Sequence, residues 1–313
     1  MSAPENAKPG APGATPFFSV SAPPHIRGNW SMQDIMLITL AAIIPALGVS
    51  VAHNGAYVLL VAAVSVASAA LAEWVFRIVA EKRPVMIDGS AGLTGLLLAC
   101  TLPPQVPLWV PLVGSVFAIA IVKMAFGGLG RNFLNPALAG RAFCVLAFPA
   151  VFSAMSSPHA PVPGETLFPL VVGYQGGLLG GSSAGALLLG AAVLWGLRII
   201  DVTLPASFIG SSFLLFWLAG VGHGPLEALV QTCSGGLFLG ALFMATDPVT
   251  SPKTSIARLL FGTGCGVLAF LFRNIGRAGD SIMYAVLLMN CIVPYCDRYC
   301  GRLLRRRAGG TTL

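Results

Sequence analysis

The amino-acid sequence predicts an all-α polytopic membrane protein of about ten transmembrane helices in two inverted five-helix repeats. Three observations predict it. Apolar residues make up 56% of the 313 positions and charged residues only 9%, with a mean hydropathy of +0.84, whereas soluble domains carry roughly 25% charged residues. Too few charges remain to coat a water-facing globule, so the backbone must satisfy itself within helices or a closed barrel. Second, long apolar segments rather than short alternating ones fall near 32–51, 57–76, 88–102, 108–125, 137–153, 183–199, 203–220, 226–245, 256–272 and 281–296. Several lie near the short limit of the roughly 17–25 residues that cross a bilayer. Third, with the N-terminus inside, the inner segments hold Arg77, Lys82, Arg83, Lys123, Arg131, Arg141, Arg198, Lys253, Arg258 and the Arg298 to Arg307 cluster. The outer segments hold only Arg273 and Arg277. One missing helix would invert every later loop and destroy this positive-inside bias.

The elements follow in order. Residues 1–30, rich in Pro, Ala and Gly with a lone Lys8 and Arg27, read as a disordered cytoplasmic tail rather than a signal peptide. The first five-helix repeat occupies 31–155, a Pro/Gly/Ser-rich outer-face loop 156–182, the second repeat 183–298, and a basic cytoplasmic tail 299–313. An odd number of spans per half forces repeated halves into opposite orientations. Gly95 to Pro103 closes the third span of the first half, and Gly240 to Pro248 that of the second, aligning at Gly, Leu, Thr and Pro. Pro and Gly at these ends predict partly broken helices with freed backbone groups. The net charge of +7 reflects the positive-inside bias rather than nucleic acid, because the basic residues are scattered. The cysteines in the apolar spans read as buried free thiols, and Cys291, Cys296 and Cys300 match no standard metal spacing. No metal ligand and no catalytic residue is assigned.

Four polar stretches interrupt the apolar background: Asp88 to Gly95, Gly127 to Arg141, Ala245 to Pro252 and Leu287 to Asn290. Gly and Pro can simply turn the chain there, with Asp or Asn capping helices. The Asn132 to Arg141 stretch offers more. Asn132 and Asn135 flank Phe133 and precede Pro136, and such carboxamides can read the edge of a polar heterocycle while helix N-terminal amides take up negative charge. The glycine-rich lead-in lets backbone approach a planar ligand. No strand precedes it and no Gly-Lys-Ser/Thr ends it, so it is neither a Rossmann nor a Walker loop. Glu73, Lys123, Asp201, Glu227 and Asp247 lie in or beside spans, where an ionisable side chain points to function, although Glu73 and Lys123 are long enough to snorkel to the interface. Thr246 and Asp247 end a helix and join Asn132 and Asn135 as candidate cofactor-binding residues.

The stretch Gly127-Gly-Leu-Gly-Arg-Asn-Phe-Leu-Asn-Pro-Ala-Leu-Ala-Gly-Arg-Ala-Phe143 resembles the corresponding loop of the RnfD/NqrB family. These are membrane subunits of ion-translocating ferredoxin:NAD and NADH:quinone oxidoreductases. Asp88-Gly-Ser-Ala, Leu93-Thr-Gly-Leu-Leu-Leu-Ala, Ala245-Thr-Asp-Pro-Val-Thr-Ser-Pro and Ala285-Val-Leu-Leu-Met-Asn290 match family blocks in order, over residues 30–300. The short N-terminal tail fits the RnfD side of the family. The resemblance implies a fold similar to urea transporters, in a bacterial or archaeal cytoplasmic membrane. It implies a subunit that is not catalytic alone, relaying electrons through flavin with Na+ or H+ transport. Its partners would be other Rnf-type subunits, an outer-face flavoprotein among them. It also implies FMN linked through a phosphodiester to a threonine of an outer Ser-Gly-Ala-Thr motif, and a non-covalent riboflavin nearer the inside, where Asn132 and Asn135 match.

The outer motif departs from that pattern. Pro163-Gly164-Glu165-Thr166 stands in its place, and Glu165 would repel an incoming phosphate. Thr166 is thus either the covalent FMN acceptor or part of an ordinary Gly-Glu-Thr loop. Three further readings share the frame: a solute channel or transporter on the same fold, an NqrB-type quinone-reducing subunit, and a structural subunit that lost its outer flavin but still scaffolds the complex.

Overall fold

A computed structural model describes residues 30–81, 89–155, 167–173, 177–220, 224–275 and 278–307, and every regular element among them is helical. The expected N-terminal tail up to residue 29, Asp88, Arg277 and Thr166 lie outside the described residues.

Helix α1 (Met32–Asn54) opens on a capping box: Ser31 Oγ accepts from the Asp34 amide at 3.1 Å, and the Asp34 carboxylate accepts from the Ser31 amide at 2.9 Å. Helix α2 (Tyr57–Phe76) continues into a π-helical turn, Arg77–Glu81. Helix α3 (Ser90–Thr101) follows Gly89, and α4 (Trp109–Phe117) widens into a second π-helical segment, Ala118–Met124. Span five, expected as one helix over 137–153, is divided at Phe148 into α5 (Pro136–Ala147) and α6 (Pro149–Ala154). Pro149 has no N–H with which to continue the ladder. Helix α7 (Leu167–Val172) and the one-turn 3-10 helix Leu179–Gly181 give structure to the segment expected as a loop over 156–182. The Leu179 amide donates to the Leu102 carbonyl at 2.9 Å, so this segment closes the carbonyl end of α3.

The second half comprises α8 (Ala184–Gly196), α9 (Thr203–Leu218), α10 (Pro225–Cys233), α11 (Leu237–Leu239, extended by the π-helical turn Gly240–Met244), α12 (Ser255–Ile275) and α13 (Ala278–Arg307). Helix α13 runs through residues expected as a tail from 299. Span eight, expected as continuous over 226–245, is bent by 64° between α10 and α11. Gly235 and Gly236 take φ of 66° and 76° at the break, a region glycine enters without steric cost. The carbonyls freed there are satisfied by Arg273 of α12, whose Nη1 donates to Gln231 O at 2.5 Å and whose Nη2 donates to Ser234 O at 3.0 Å.

Each of the ten apolar segments is helical. Three stretches, Met32–Asn54, Tyr57–Val79 and Ser255–Ile275, are long and apolar enough to cross a membrane unaided, and the bent pair makes a fourth if counted as one span. Five further apolar helices have 10–17 residues, so helix length alone does not carry the expected count of ten spans.

Helices at equivalent places in the two halves make equivalent contacts. The first helices, α1 and α8, pack on each other, as do the last, α5 and α13; α2 packs on α3 and α4 as α9 packs on α10 and α12. Small residues set the approach, as expected where lipid gives no hydrophobic drive between helices. Ser65 Oγ donates to Gly95 O at 2.6 Å and lies 2.8 Å from Ser115 Oγ. A Cβ on Gly262 would stand 2.5 Å from Leu204 O, and one on Gly266 2.8 Å from Phe208 O. Leu71, Leu146, Leu189 and Leu218 remain exposed, as lipid-facing side chains are.

Where α1 crosses α8, a Cβ on Gly190 would collide with the Ala42 carbonyl oxygen. Gly190→Ala should therefore cost about 1–3 kcal/mol and lower the melting temperature in detergent. Gly196→Ala, whose Cβ would meet nothing within 4 Å, should leave it unchanged or slightly raised.

Candidate functional site

Past the π-helical segment of α4, Gly127, Gly128 and Gly130 adopt φ of 105°, 86° and 89°, conformations that the glycine-rich lead-in makes accessible. The chain then presents two asparagines with different roles. Asn135 is the N-cap of α5: its Oδ1 accepts from the amides of Ala137 (3.0 Å) and Leu138 (3.3 Å). Its Nδ2 donates to Met244 O at 3.1 Å, joining the start of α5 to the end of the α11 π turn and so one half to the other. Asn132 donates from Nδ2 to Leu134 O at 3.1 Å, while its buried Oδ1 has no partner among the described residues.

Both asparagines line a narrow cleft. Met36, Leu93, Leu97, Leu129 and Pro136 give it apolar walls; Ser90, Thr94, Lys123 and Asp247 join the asparagines in its polar lining. Lys123 does not snorkel. It is 2% exposed, and its Nζ donates to Glu73 Oε2 at 3.0 Å and to Ser90 Oγ at 2.5 Å. Glu73 pairs with Arg77 as well. An extended lysine would abandon a buried carboxylate, which costs more than the ammonium gains from the interface. Asp247 accepts at Oδ1 from the Val249 amide (3.3 Å) and at Oδ2 from Thr250 Oγ1 (3.2 Å). Enclosure by protein pushes its carboxyl above the ordinary range, opposed by these two bonds and by the charge of Lys123.

Of the residues singled out from the sequence, the structure brings Asn132, Asn135 and Asp247 together and leaves Thr246 apart. Thr246 Oγ1 donates to Leu242 O at 2.6 Å, and the residue lines a separate cleft of about 580 Å³ beside Asp201, Lys253 and Arg258. There Arg258 Nη1 lies 2.6 Å from Asp201 Oδ2. Thr166 is outside the described residues. The residues alone do not single out Ser90 as a site residue, although it stands in a polar stretch, and they mark Glu73 and Lys123 only as ionisable groups near spans.

A second buried ion pair joins the last helices of the halves. Arg141 Nη2 lies 2.7 Å from Asp280 Oδ1, while Arg141 Nε and Nη1 are buried without a partner among the described residues. Arg141 also lines a small pocket with Thr101, Leu178 and Gly236. Asn290 is buried in α13 with neither side-chain polar atom partnered among the described residues.

Two outcomes follow from the cleft. Asn135→Ala should lower stability by about 0.5–2 kcal/mol through loss of the cap, and Asn135→Asp, which keeps the cap but sets a buried carboxylate against the Met244 carbonyl, should lose at least as much; thermal melts in detergent compare them. Asp247 has a folded-state pKa raised above its unfolded value, so its contribution is favourable below about 3.9 and is lost as pH rises through the folded value. Asp247→Asn should therefore raise the melting temperature at neutral pH, and the gain should shrink on acidification.

A family model for the NQR2, RnfD, RnfE family matches residues 19–303. The D subunit of the Na+-translocating ferredoxin:NAD+ oxidoreductase complex of Acetobacterium woodii is 37% identical over 302 residues, covering 90% of this chain and 93% of its own. The D subunit of the ion-translocating oxidoreductase complex of Stutzerimonas stutzeri is 37% identical over 281 residues, 73% of this chain and 79% of its own. The D subunit of the proton-translocating ferredoxin:NAD+ oxidoreductase complex of Clostridium ljungdahlii is 32% identical over 312 residues, 90% of this chain and 94% of its own. With a family match across nearly the whole chain and relatives of this identity and coverage, the chain belongs to the NQR2, RnfD, RnfE family.

Proposed function

We propose that this chain is the D subunit of an Rnf-type ion-translocating oxidoreductase complex, holding flavin that carries electrons through the membrane, with Na+ or H+ transport coupled to their passage. It works with the other subunits of that complex, an outer-face flavoprotein among them, and is not catalytic alone. The matching contacts of the two halves support reading them as inverted repeats that make ten spans with both chain ends cytoplasmic. Family membership leaves the ion open, because relatives of similar identity are named for Na+ in one case and for protons in another.

The observation that carries the flavin reading is the buried, unpartnered Oδ1 of Asn132 in a cleft with apolar walls. An isoalloxazine has apolar faces and a polar edge on which an N–H stands between two carbonyls. The lining matches that pattern in kind: Met36, Leu93 and Leu97 are apolar, and Asn132 Oδ1 is an unanswered acceptor for the edge N–H. A flavin bound there supplies the redox chemistry. Asn132 orients it, Asn135 keeps the first turn of α5 in place beside it, and the apolar walls exclude water. This is the site for non-covalent riboflavin, and Thr166 is the proposed acceptor for covalent FMN.

Flavin content tests both parts. The purified subunit should release non-covalent flavin on denaturation, and Asn132→Ala should weaken its binding about tenfold, the loss of one hydrogen bond. A preparation without flavin absorbance would overturn the relay. From cells with an active flavin transferase, the peptide containing Thr166 should carry the mass of FMN; an unmodified peptide rules out the covalent site.

A further inference from the structure

The second cleft, where the turn from α8 to α9 meets the loop from α11 to α12, stands apart from the flavin reading. It holds about 190 Å³ of space that water can reach, against roughly 10–15 Å³ for a single water, so a phosphate group fits. Its lining is part apolar, with Ile199, Ile200 and Leu204, and part polar, with Ser251, Lys253 and Arg258.

The charges there are largely answered. Arg258 donates from Nη1 to Asp201 at 2.6 Å and from Nε to the Pro252 carbonyl at 3.0 Å. Asp297 of α13 reaches the same loop, and its carboxylate accepts from the Lys253 backbone amide at 3.1 and 3.3 Å. Lys253 and Arg258 thus face Asp201 and Asp297, and what remains is a set of donors rather than an excess of charge. Lys253 Nζ, Arg258 Nη2 and Ser251 Oγ have no partner among the described residues. A guanidinium fixed by a carboxylate at one nitrogen presents the other to an anion, and phosphate oxygens accept from guanidinium and ammonium alike.

The depth of the cleft indicates which phosphate reaches it. Trp30 Nε1 donates to Leu197 O at 3.3 Å, on the turn that supplies Ile199 and Ile200, and both Trp30 and Trp195 are exposed. Tryptophans gather at the level of the lipid headgroups, where the ring is apolar and the N–H finds a partner. Val202 and Leu259, each next to a charged residue of the cleft, are exposed as well, as side chains beside acyl chains are.

We propose that this cleft binds the phosphate of an anionic phospholipid, with Lys253, Arg258 and Ser251 as donors and Asp201 holding the guanidinium in place. Clefts with basic residues between membrane helices take such headgroups. The loop that forms it also borders the other cleft: Thr246 and Pro248 line the lipid site, Asp247 and Val249 the one with Asn132.

The experiment titrates the full chain, purified in mild detergent, with phosphatidylglycerol or phosphatidylcholine and reads bound lipid by native mass spectrometry, with inorganic phosphate as a third ligand. Phosphatidylglycerol should bind at least fivefold more tightly than phosphatidylcholine, and less tightly as salt rises. Lys253→Gln, which leaves no side-chain partner behind, should weaken its binding about fivefold, the worth of one basic residue at an anionic surface. Arg131→Gln, which removes an exposed charge outside the cleft, should leave it unchanged. Equal binding of the two lipids, equal loss in both variants, or insensitivity to salt overturns the proposal. Binding of inorganic phosphate that depends on Lys253, without such binding of phosphatidylglycerol, makes free phosphate the occupant and overturns the lipid assignment.

Discussion

In lipid, a backbone N–H or C=O that leaves its helix finds no water, and each one left unsatisfied costs several kcal/mol. This protein breaks its helices repeatedly, so its architecture depends on the partners that close those breaks. Arg273 takes the carbonyls released where α10 turns into α11. The Leu179 amide covers the carbonyl end of α3. Asn135 caps α5 with one end of its carboxamide and holds the last carbonyl of the α11 π turn with the other. Each closure joins segments distant in sequence, so the broken helices tie the chain together.

The charged residues obey the same constraint. Glu73, Arg77 and Lys123 form one buried group, and Arg141 with Asp280 another. Such pairs contribute little net stability, because desolvation offsets most of the Coulomb attraction. Their value lies in specifying which helices meet: the first group binds α2 to the π-helical segment after α4, and the second binds α5 to α13. Two of the three π-helical segments meet the cleft region directly, one carrying Lys123 and the other ending at Met244, which Asn135 holds. Irregular helix is often retained at functional sites, and here it aims side chains that a regular helix would direct elsewhere.

Membership in a family whose named relatives translocate different ions separates two questions. Family membership does not carry the choice of ion, since relatives of similar identity are named for Na+ and for protons. What the residues of the cleft leave unfilled is one acceptor on Asn132 beside apolar walls.

Much of the frame was legible in the residues. Composition called for helices in lipid, and the ten apolar segments are helical, two of them broken and the last running on to Arg307. The Gly127 to Gly130 run and Asn135-Pro136 announced a turn and a helix start, since positive φ and capping are local properties. Local signals also marked Asn132, Asn135 and Asp247 as polar residues worth weighing. They could not distinguish Thr246 from Asp247, because adjacent residues at a helix end can face different clefts. Nor could they show that Lys123 turns inward, since a long side chain can snorkel or pair and its partner lies 50 positions away. The sequence by itself therefore determined the helical class, the membrane setting and the family. Only the tertiary structure decided where helices break, which charges pair and which asparagine keeps a free acceptor, because those outcomes depend on groups that folding brings together from opposite ends of the chain.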